Sequence, residues 1–326
     1  MEIVTKKHLM LFAGTSHPDL ANEIAEELGI PISPCEIRRF ASSEIYVRPV
    51  DSVRGADVFI IQTSTPPVNE TIMELLIMVD AMKRASAKRV TAVIPYYGYS
   101  RQDKKALARE PISAKLIADL LTAAGTDRVV SVDLHSGQIQ GFFDFPFDHL
   151  TALPLLADFL RDDTGLSGEQ ITVVAPDAGR VKVAERLQQA LHADIAYINK
   201  RRSKYEANKI EAIEVVGEVD GQVCILVDDM IDTAGTMVQG AQALAERGAR
   251  AIYTAATHGL FNGKAVPNIE ESHISQVIVT NTVPIPDERQ FSKLKCLSIA
   301  PIIASALRAV FEDTSVSEIF HGENMP

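Results

Sequence analysis

Short apolar runs rich in β-branched residues alternate with amphipathic stretches from one end of the chain to the other, and this alternation is the strongest constraint on what it can fold into. Strands are expected at Leu9 to Ala13, Val58 to Gln62, Val90 to Ile94, Val129 to Asp133, Ile171 to Ala175, Val223 to Val227, Ala251 to Ala255 and Val277 to Thr280. Helices are expected between them at Asp19 to Leu28, Glu70 to Arg84, Ser113 to Thr122, Leu153 to Leu160, Val181 to Leu191, Met237 to Arg247 and Ile302 to Phe311, with Gly29, Gly125 and Gly248 as C-caps. Strands that are apolar along nearly their whole length are buried on both faces. That points to an α/β chain whose mainly parallel sheets are flanked by helices.

At 326 residues, and roughly 100 to 200 residues per domain, the chain has room for about two domains. The boundary is placed after the aromatic segment Gly141 to Phe147, giving domains 1–150 and 151–326. Arg89 to Gly98 and Arg250 to Gly259 echo each other, which fits either a duplication or the general likeness of two βαβ units. Hydrophobic residues make up 46% and charged residues 23%, ordinary globular usage that excludes a disordered or collagen-like bulk. The net charge of −11 argues against a nucleic-acid or anionic-membrane surface, so a phosphate ligand would need a local basic cluster. The longest strong apolar run, Leu75 to Val79, is far too short to cross a bilayer, and Met1 to Met10 lacks the apolar stretch of a secretory signal. A soluble, cytoplasmic chain is expected. Cys35, Cys224 and Cys296 are too few and too widely spaced for a disulfide framework or a Cys-rich metal site, and Cys224 reads as core.

The sharpest local signal is Val223-Cys-Ile-Leu-Val-Asp-Asp-Met-Ile-Asp-Thr-Ala-Gly-Thr236, a buried strand running into a small-residue turn and then a helix. Thr233, Ala234, Gly235 and Thr236 leave the backbone open to approach, offer hydroxyl donors and present the unpaired amides of a helix N-terminus, which together suit one phosphate group. No Lys stands beside the Ser or Thr of this turn, so it is not a P-loop. Asp228 and Asp229 are acceptors that suit a vicinal diol or a hydrated magnesium ion, which favours a sugar phosphate. The alternative makes Asp232 or Thr233 an ordinary N-cap and the other acids solvated loop residues. The segment resembles the phosphoribosyl-diphosphate motif of type I phosphoribosyltransferases. The resemblance implies that Asp232 to Thr236 hold the 5-phosphate and that Asp228 and Asp229 hold the ribose hydroxyls.

Four further segments carry chemistry. Tyr99-Ser-Arg-Gln-Asp-Lys-Lys105 gathers three cations after a strand, as a polyphosphate site requires, although Lys104 and Lys105 also fit a solvated face. Val132-Asp-Leu-His135 ends another strand, where alternation puts Asp133 and His135 on one side and a His can bind metal or phosphate, or simply be hydrogen-bonded. Ala175-Pro-Asp-Ala-Gly179 places Asp177 at a strand end, as a magnesium or ribose ligand or as a capping residue. Phe40-Ala-Ser-Ser-Glu44 lies between β-like stretches, with a ring on which adenine can stack and an acceptor for its amino group, or with ordinary packing and surface residues.

Together with Ser52-Val-Arg-Gly55, Met73-Glu-Leu-Leu-Ile-Met78, Pro111-Ile-Ser-Ala-Lys115, Gln138-Ile-Gln-Gly-Phe-Phe-Asp144, Thr257-His-Gly259 and Val279-Thr-Asn-Thr282, these segments closely resemble the ribose-phosphate diphosphokinase family over nearly the whole chain. The resemblance implies two tandem type I phosphoribosyltransferase-like domains, with ATP held mainly by the first and ribose 5-phosphate by the second. It implies diphosphoryl transfer from MgATP to the anomeric hydroxyl, with Mg2+ as cofactor. Phe40, Ser42, Glu44, Arg101 and Gln102 then match the ATP site, and His135 with Asp177 the metal and phosphate contacts. Asn199-Lys-Arg-Arg-Ser-Lys-Tyr205, the densest cationic run, resembles the catalytic flexible loop, with Lys200 and Arg202 closing over the diphosphate. Ser52, Arg54, Ser315 and Ser317 resemble parts of a site between subunits where phosphate activates and ADP inhibits, and the family implies a homo-oligomer, a hexamer.

Three departures from the family pattern stand out. Ser42 and Ser43 replace an Asp or Asn followed by Gly, Arg180 replaces a frequent second Gly, and the stretch Ser203 to Ile213 is longer and less proline-rich than expected. Two competing functions remain. The nearest is a phosphoribosyltransferase, against which the first-half motifs argue. The other is a catalytically silent regulatory subunit, against which the retained His135, Lys200, Arg202 and acid-rich loop argue.

Overall fold

The computed structural model describes residues 7–162, 165, 170–202 and 210–320, with side chains described for all of these except 200–202 and 210–213. Two compact units divide the chain. The first takes the chain to Thr151, residues 282–284 and the segment from Ser298 onward. It contains β1 (Leu9–Ala13), α1 (Pro18–Leu28), a hairpin of β2 (Cys35–Arg39) and β3 (Ile45–Pro49), β4 (Asp57–Ile61), α2 (Val68–Arg84), β5 (Arg89–Ile94), α3 (Ser113–Ala124), β6 (Arg128–Val132) and β7 (Phe147–Leu150). Its sheet runs β1-β4-β5-β6-β7, with every neighbouring pair parallel.

The second unit contains α4 (Leu153–Asp162), β8 (Ile171–Ala175), α5 (Val181–Leu191), β9 (Asp194–Arg202), β10 (Ile210–Val216), β11 (Val223–Ile231), α6 (Gly235–Glu246), β12 (Ala251–Gly259), α7 (Ala265–Glu270), β13 (Gln276–Thr280) and β14 (Leu294–Leu297). Its sheet runs β10-β9-β8-β11-β12-β13-β14 and is parallel except where β10 folds back on β9. The last helix, α8 (Ala300–Glu312), belongs to the first unit, where Arg308 donates to the Glu27 carbonyl at the end of α1.

The apolar strands are buried as the sequence pattern requires. On β11, Cys224 and Leu226 enter one core cluster, while Ile225 and Val227 enter another. Consecutive side chains therefore fill opposite faces of the sheet, and each apolar side chain buried in this way contributes about 1.5 to 3 kcal/mol. Burial also pushes the Cys224 thiol up to about 12, as befits a core residue. Gly29 and Gly125 cap their helices at φ 68° and 100°. Gly248, at φ 88°, stands one residue beyond the cap Arg247.

Several element ends differ from the expected ones, and two of these differences position the site. β11 continues through Asp228 and Asp229 to Ile231, because its ladder with β12 persists to Ile231↔Gly259 after its ladder with β8 has stopped at Leu226↔Val174. α6 starts at Gly235, two residues earlier than expected, because Ala234 takes the left-handed conformation at φ 62° and turns the chain into the helix.

Candidate functional site

The second unit carries the phosphate-type turn. Ala234, not Asp232 or Thr233, is the N-cap of α6, and it makes no side-chain cap bond. Ala234 itself brings no polar side chain to the leading amides of the helix, which suits the approach of an anion. Thr233 is exposed, and Gly235 and Thr236 are half-buried. Asp232 supports the turn from behind: its Oδ1 accepts from Asn262 Nδ2 at 2.8 Å, and its carbonyl accepts from the Asn262 amide at 2.8 Å. Asn262 follows β12, so its part in the turn is invisible in the local motif.

Asp228 and Asp229 lie on the stretch of β11 whose β8 edge is open, and the chain leaving β8 fills that edge. Arg180 Nε donates to Asp228 Oδ1 at 2.6 Å, and Arg180 Nη2 to Asp229 Oδ1 at 2.8 Å. The three side chains are 12%, 15% and 5% exposed. The Asp229 amide donates to Asp228 Oδ1 at 2.8 Å. Burial raises the Asp228 carboxyl well above the usual carboxylate range, the hydrogen bond and repulsion from Asp229 add to this, and Arg180 opposes it. Asp177 caps the short 3-10 turn Ala178–Arg180, its Oδ1 accepting from the Gly179 amide at 2.8 Å.

The ATP-type residues belong to the first unit. Phe40 to Glu44 form the tip of the β2–β3 hairpin, closed by the Phe40 amide donating to the Glu44 carbonyl and the Ser43 amide to the Phe40 carbonyl, both at 2.9 Å. Ser43 sits at φ 70°, the left-handed position that favours glycine. Phe40 is 46% exposed, and the Ser42 hydroxyl donates to the Glu44 carboxylate. Arg38 lies 4.8 Å from the Phe40 ring centroid and 4.2 Å from that of Tyr46, stiffening the tip.

Arg101 and Gln102 are exposed on the segment before α3. Gln102 Oε1 accepts from Ser113 Oγ at 2.6 Å, and its carbonyl accepts from the Ala114 amide at 3.2 Å. Lys104 and Lys105 are exposed, whereas Asp103 is buried and accepts from Gln138 Nε2 at 3.4 Å. β6 ends at Val132 and Asp133 turns to φ 35°, so strand alternation does not set the orientation of Asp133 and His135, because the chain has left the sheet there. Both are half-buried around the buried Leu134, whose amide donates to His149 Nε2 at 2.8 Å. His149, on β7, fixes the segment that carries His135, and no local motif pointed to it.

Ser52, Arg54, Ser315 and Ser317 are all exposed, and Ser52 Oγ accepts from the Arg54 amide at 3.5 Å. Lys200 and Arg202 stand at the end of β9, with their side chains outside the described residues, as are residues 203–209. A cavity of 240 Å³ at the amino ends of β4, β5 and β6, lined by Asp57, Arg89, Asp127 and Arg128, lies away from the motif residues at the carboxyl ends.

A family model described as the N-terminal domain of ribose phosphate pyrophosphokinase matches residues 9–125, and one described as the phosphoribosyl synthetase-associated domain matches residues 200–321. A ribose-phosphate pyrophosphokinase of Streptomyces avermitilis is 52% identical over 315 residues, 97% of this chain and 97% of that protein. The enzyme of the same name from Caldanaerobacter subterraneus is 51% identical over 312 residues, 96% of this chain and 98% of that protein. The crystal structure of phosphoribosylpyrophosphate synthetase from Mycobacterium smegmatis matches with a TM-score of 0.89 and 49% identity, covering 94% of this chain and 100% of that one.

Proposed function

The chain belongs to the ribose-phosphate pyrophosphokinase family, and from that premise we infer that it transfers the β,γ-diphosphoryl group of MgATP to the anomeric hydroxyl of ribose 5-phosphate. The products are 5-phosphoribosyl 1-diphosphate, for nucleotide biosynthesis, and AMP. The observation that carries this reading is 52% identity spread over 97% of the chain. The turn at Ala234 into α6 and the adjacent acid pair support it, because they suit a phosphate and a diol separately.

In this reading the amides and hydroxyls of residues 232–236 hold the 5-phosphate, and Asp228 and Asp229 accept from the ribose hydroxyls. Phe40 stacks on adenine, Glu44 with Ser42 reads its edge, and Arg101 and Gln102 meet the phosphates. Lys200 and Arg202 balance the charge that spreads over the transferred phosphoryl oxygens and exclude water from it. Transfer of this kind depends on alignment and charge balance rather than on a covalent protein intermediate.

Among the described residues no three His, Cys, Asp or Glu gather into a metal cage. Magnesium is carried mainly by substrate phosphates with one or two protein ligands, and His135 in the first unit and Asp177 in the second are each candidates for such a ligand. Bound there, it supplies positive charge to the phosphate oxygens. Domains meeting near residue 150, a cytoplasmic location, a homohexamer, and phosphate activation with ADP inhibition through Ser52, Arg54, Ser315 and Ser317 complete the proposal. No helix among the described residues is long and apolar enough to cross a membrane.

Incubating the purified chain with MgATP, ribose 5-phosphate and phosphate should yield AMP and phosphoribosyl diphosphate in equal amounts. Their absence would refute the reading, and base-dependent pyrophosphate release would point instead to a phosphoribosyltransferase.

A further inference from the structure

We propose that Arg180 is a positioning residue of the sugar site, its guanidinium bridging Asp228 and Asp229 so that they stand as one fixed pair of acceptors for vicinal hydroxyls. The proposal rests on the assignment of that acid pair to ribose 5-phosphate. Neighbouring carboxylates this deeply buried repel each other and, unpaired, would separate or lose charge. Arg180 reaches one oxygen of each, at 2.6 and 2.8 Å, which ties the two together. A guanidinium does this better than an ammonium because its donors are held in a rigid fork.

The brace is itself anchored. The Arg180 amide donates to the Asp177 carbonyl at 3.2 Å, and α5 begins at the next residue. The parallel register of β8 on β11 brings the chain leaving β8 alongside the acid pair. Each ionised carboxylate accepts about four hydrogen bonds. Arg180 and the Asp229 amide both meet Asp228 at Oδ1, and Arg180 meets Asp229 at Oδ1, so the brace approaches the pair through one oxygen of each. Arg180 thus acts on the sugar through the acids and not by contact.

The test compares full-length wild type, Arg180→Gln and Arg180→Lys by steady-state kinetics and by calorimetric titration with ribose 5-phosphate. Arg180→Gln should raise the KM for ribose 5-phosphate about tenfold, as loss of a hydrogen bond to a charged group implies, while the KM for ATP stays unchanged. Arg180→Lys should recover part of the loss. Wild-type preference for ribose 5-phosphate over 2-deoxyribose 5-phosphate should shrink in Arg180→Lys, a readout available even where Arg180→Gln does not fold. Unchanged or tighter ribose 5-phosphate binding in Arg180→Gln, an equal rise in the KM for ATP, or an unaltered deoxy-sugar preference in Arg180→Lys would overturn the proposal. If wild type binds ribose 5-phosphate but forms no AMP, the catalytic assignment fails, while the calorimetry still decides the role of Arg180.

Discussion

Gly235→Ala separates what the phosphate turn does for folding from what it does for binding. Gly235 is the first residue of α6, and its φ lies outside the left-handed region. A Cβ built there meets nothing closer than Thr233 Oγ1 at 4.0 Å, so alanine fits without displacing a neighbour. Alanine also loses less conformational entropy than glycine on entering a helix, so the variant should be as stable as wild type or about 0.5 to 1 kcal/mol more stable. Binding should move the other way. If the 5-phosphate lies on this turn as proposed, the added methyl group hinders its approach to the backbone, and losing two amide bonds to a charged ligand removes about 3 kcal/mol at the lower end of their range. That corresponds to about a hundredfold weaker ribose 5-phosphate binding. Thermal unfolding and the KM for ribose 5-phosphate, measured on the same preparation, check both halves. An affinity within about threefold of wild type would refute the placement of the phosphate on this turn, since less than 1 kcal/mol would then depend on it.

Gly14→Ala should act purely on stability: a Cβ there meets Gln62 Oε1 at 2.3 Å and Glu74 Oε1 at 2.9 Å. Those atoms belong to a network in which Gln62 Nε2 donates to Glu74 Oε1 at 2.8 Å and the Thr15 amide donates to the same oxygen at 2.7 Å. Breaking it around the buried Glu74 should cost about 3 kcal/mol, or about 6 to 12 °C in melting temperature; calorimetry showing no shift would contradict this. Ser43→Gly should relieve the left-handed strain at φ 70°, stabilise the hairpin by about 0.5 kcal/mol after the entropy of glycine is subtracted, and lower the KM for ATP, whereas a lower melting temperature would count against it. Asp228→Asn should abolish ribose 5-phosphate binding without loss of stability at pH 7. A carboxyl raised in the folded state stabilises below its unfolded value and loses that contribution as pH rises through the folded one, so the stability difference between variant and wild type should narrow on acidification; pH-dependent melting curves check the direction.

The strands and the turn from β11 into α6 were legible because both rest on local physics. Two-sided burial forces continuous apolar runs such as Val223 to Val227, and a phosphate needs small residues where helix amides emerge. Pairing between distant segments was not legible. The amphipathic pattern of α8 shows that one face is buried, but not that the chain returns to α1 to bury it. Arg180 shows the same limit in chemical form. In the sequence it is a bulky cation beside Asp177, and its distance in the chain from Asp228 hides any connection. Only the register of β8 against β11, and the earlier end of their shared ladder, opens the edge into which the guanidinium fits. The acid pair and its cation are therefore a single feature of the folded sheet. A chain with the same acids and a glycine at position 180 would present those acids with less charge and less fixed geometry, so the acid motif alone does not set the sugar affinity.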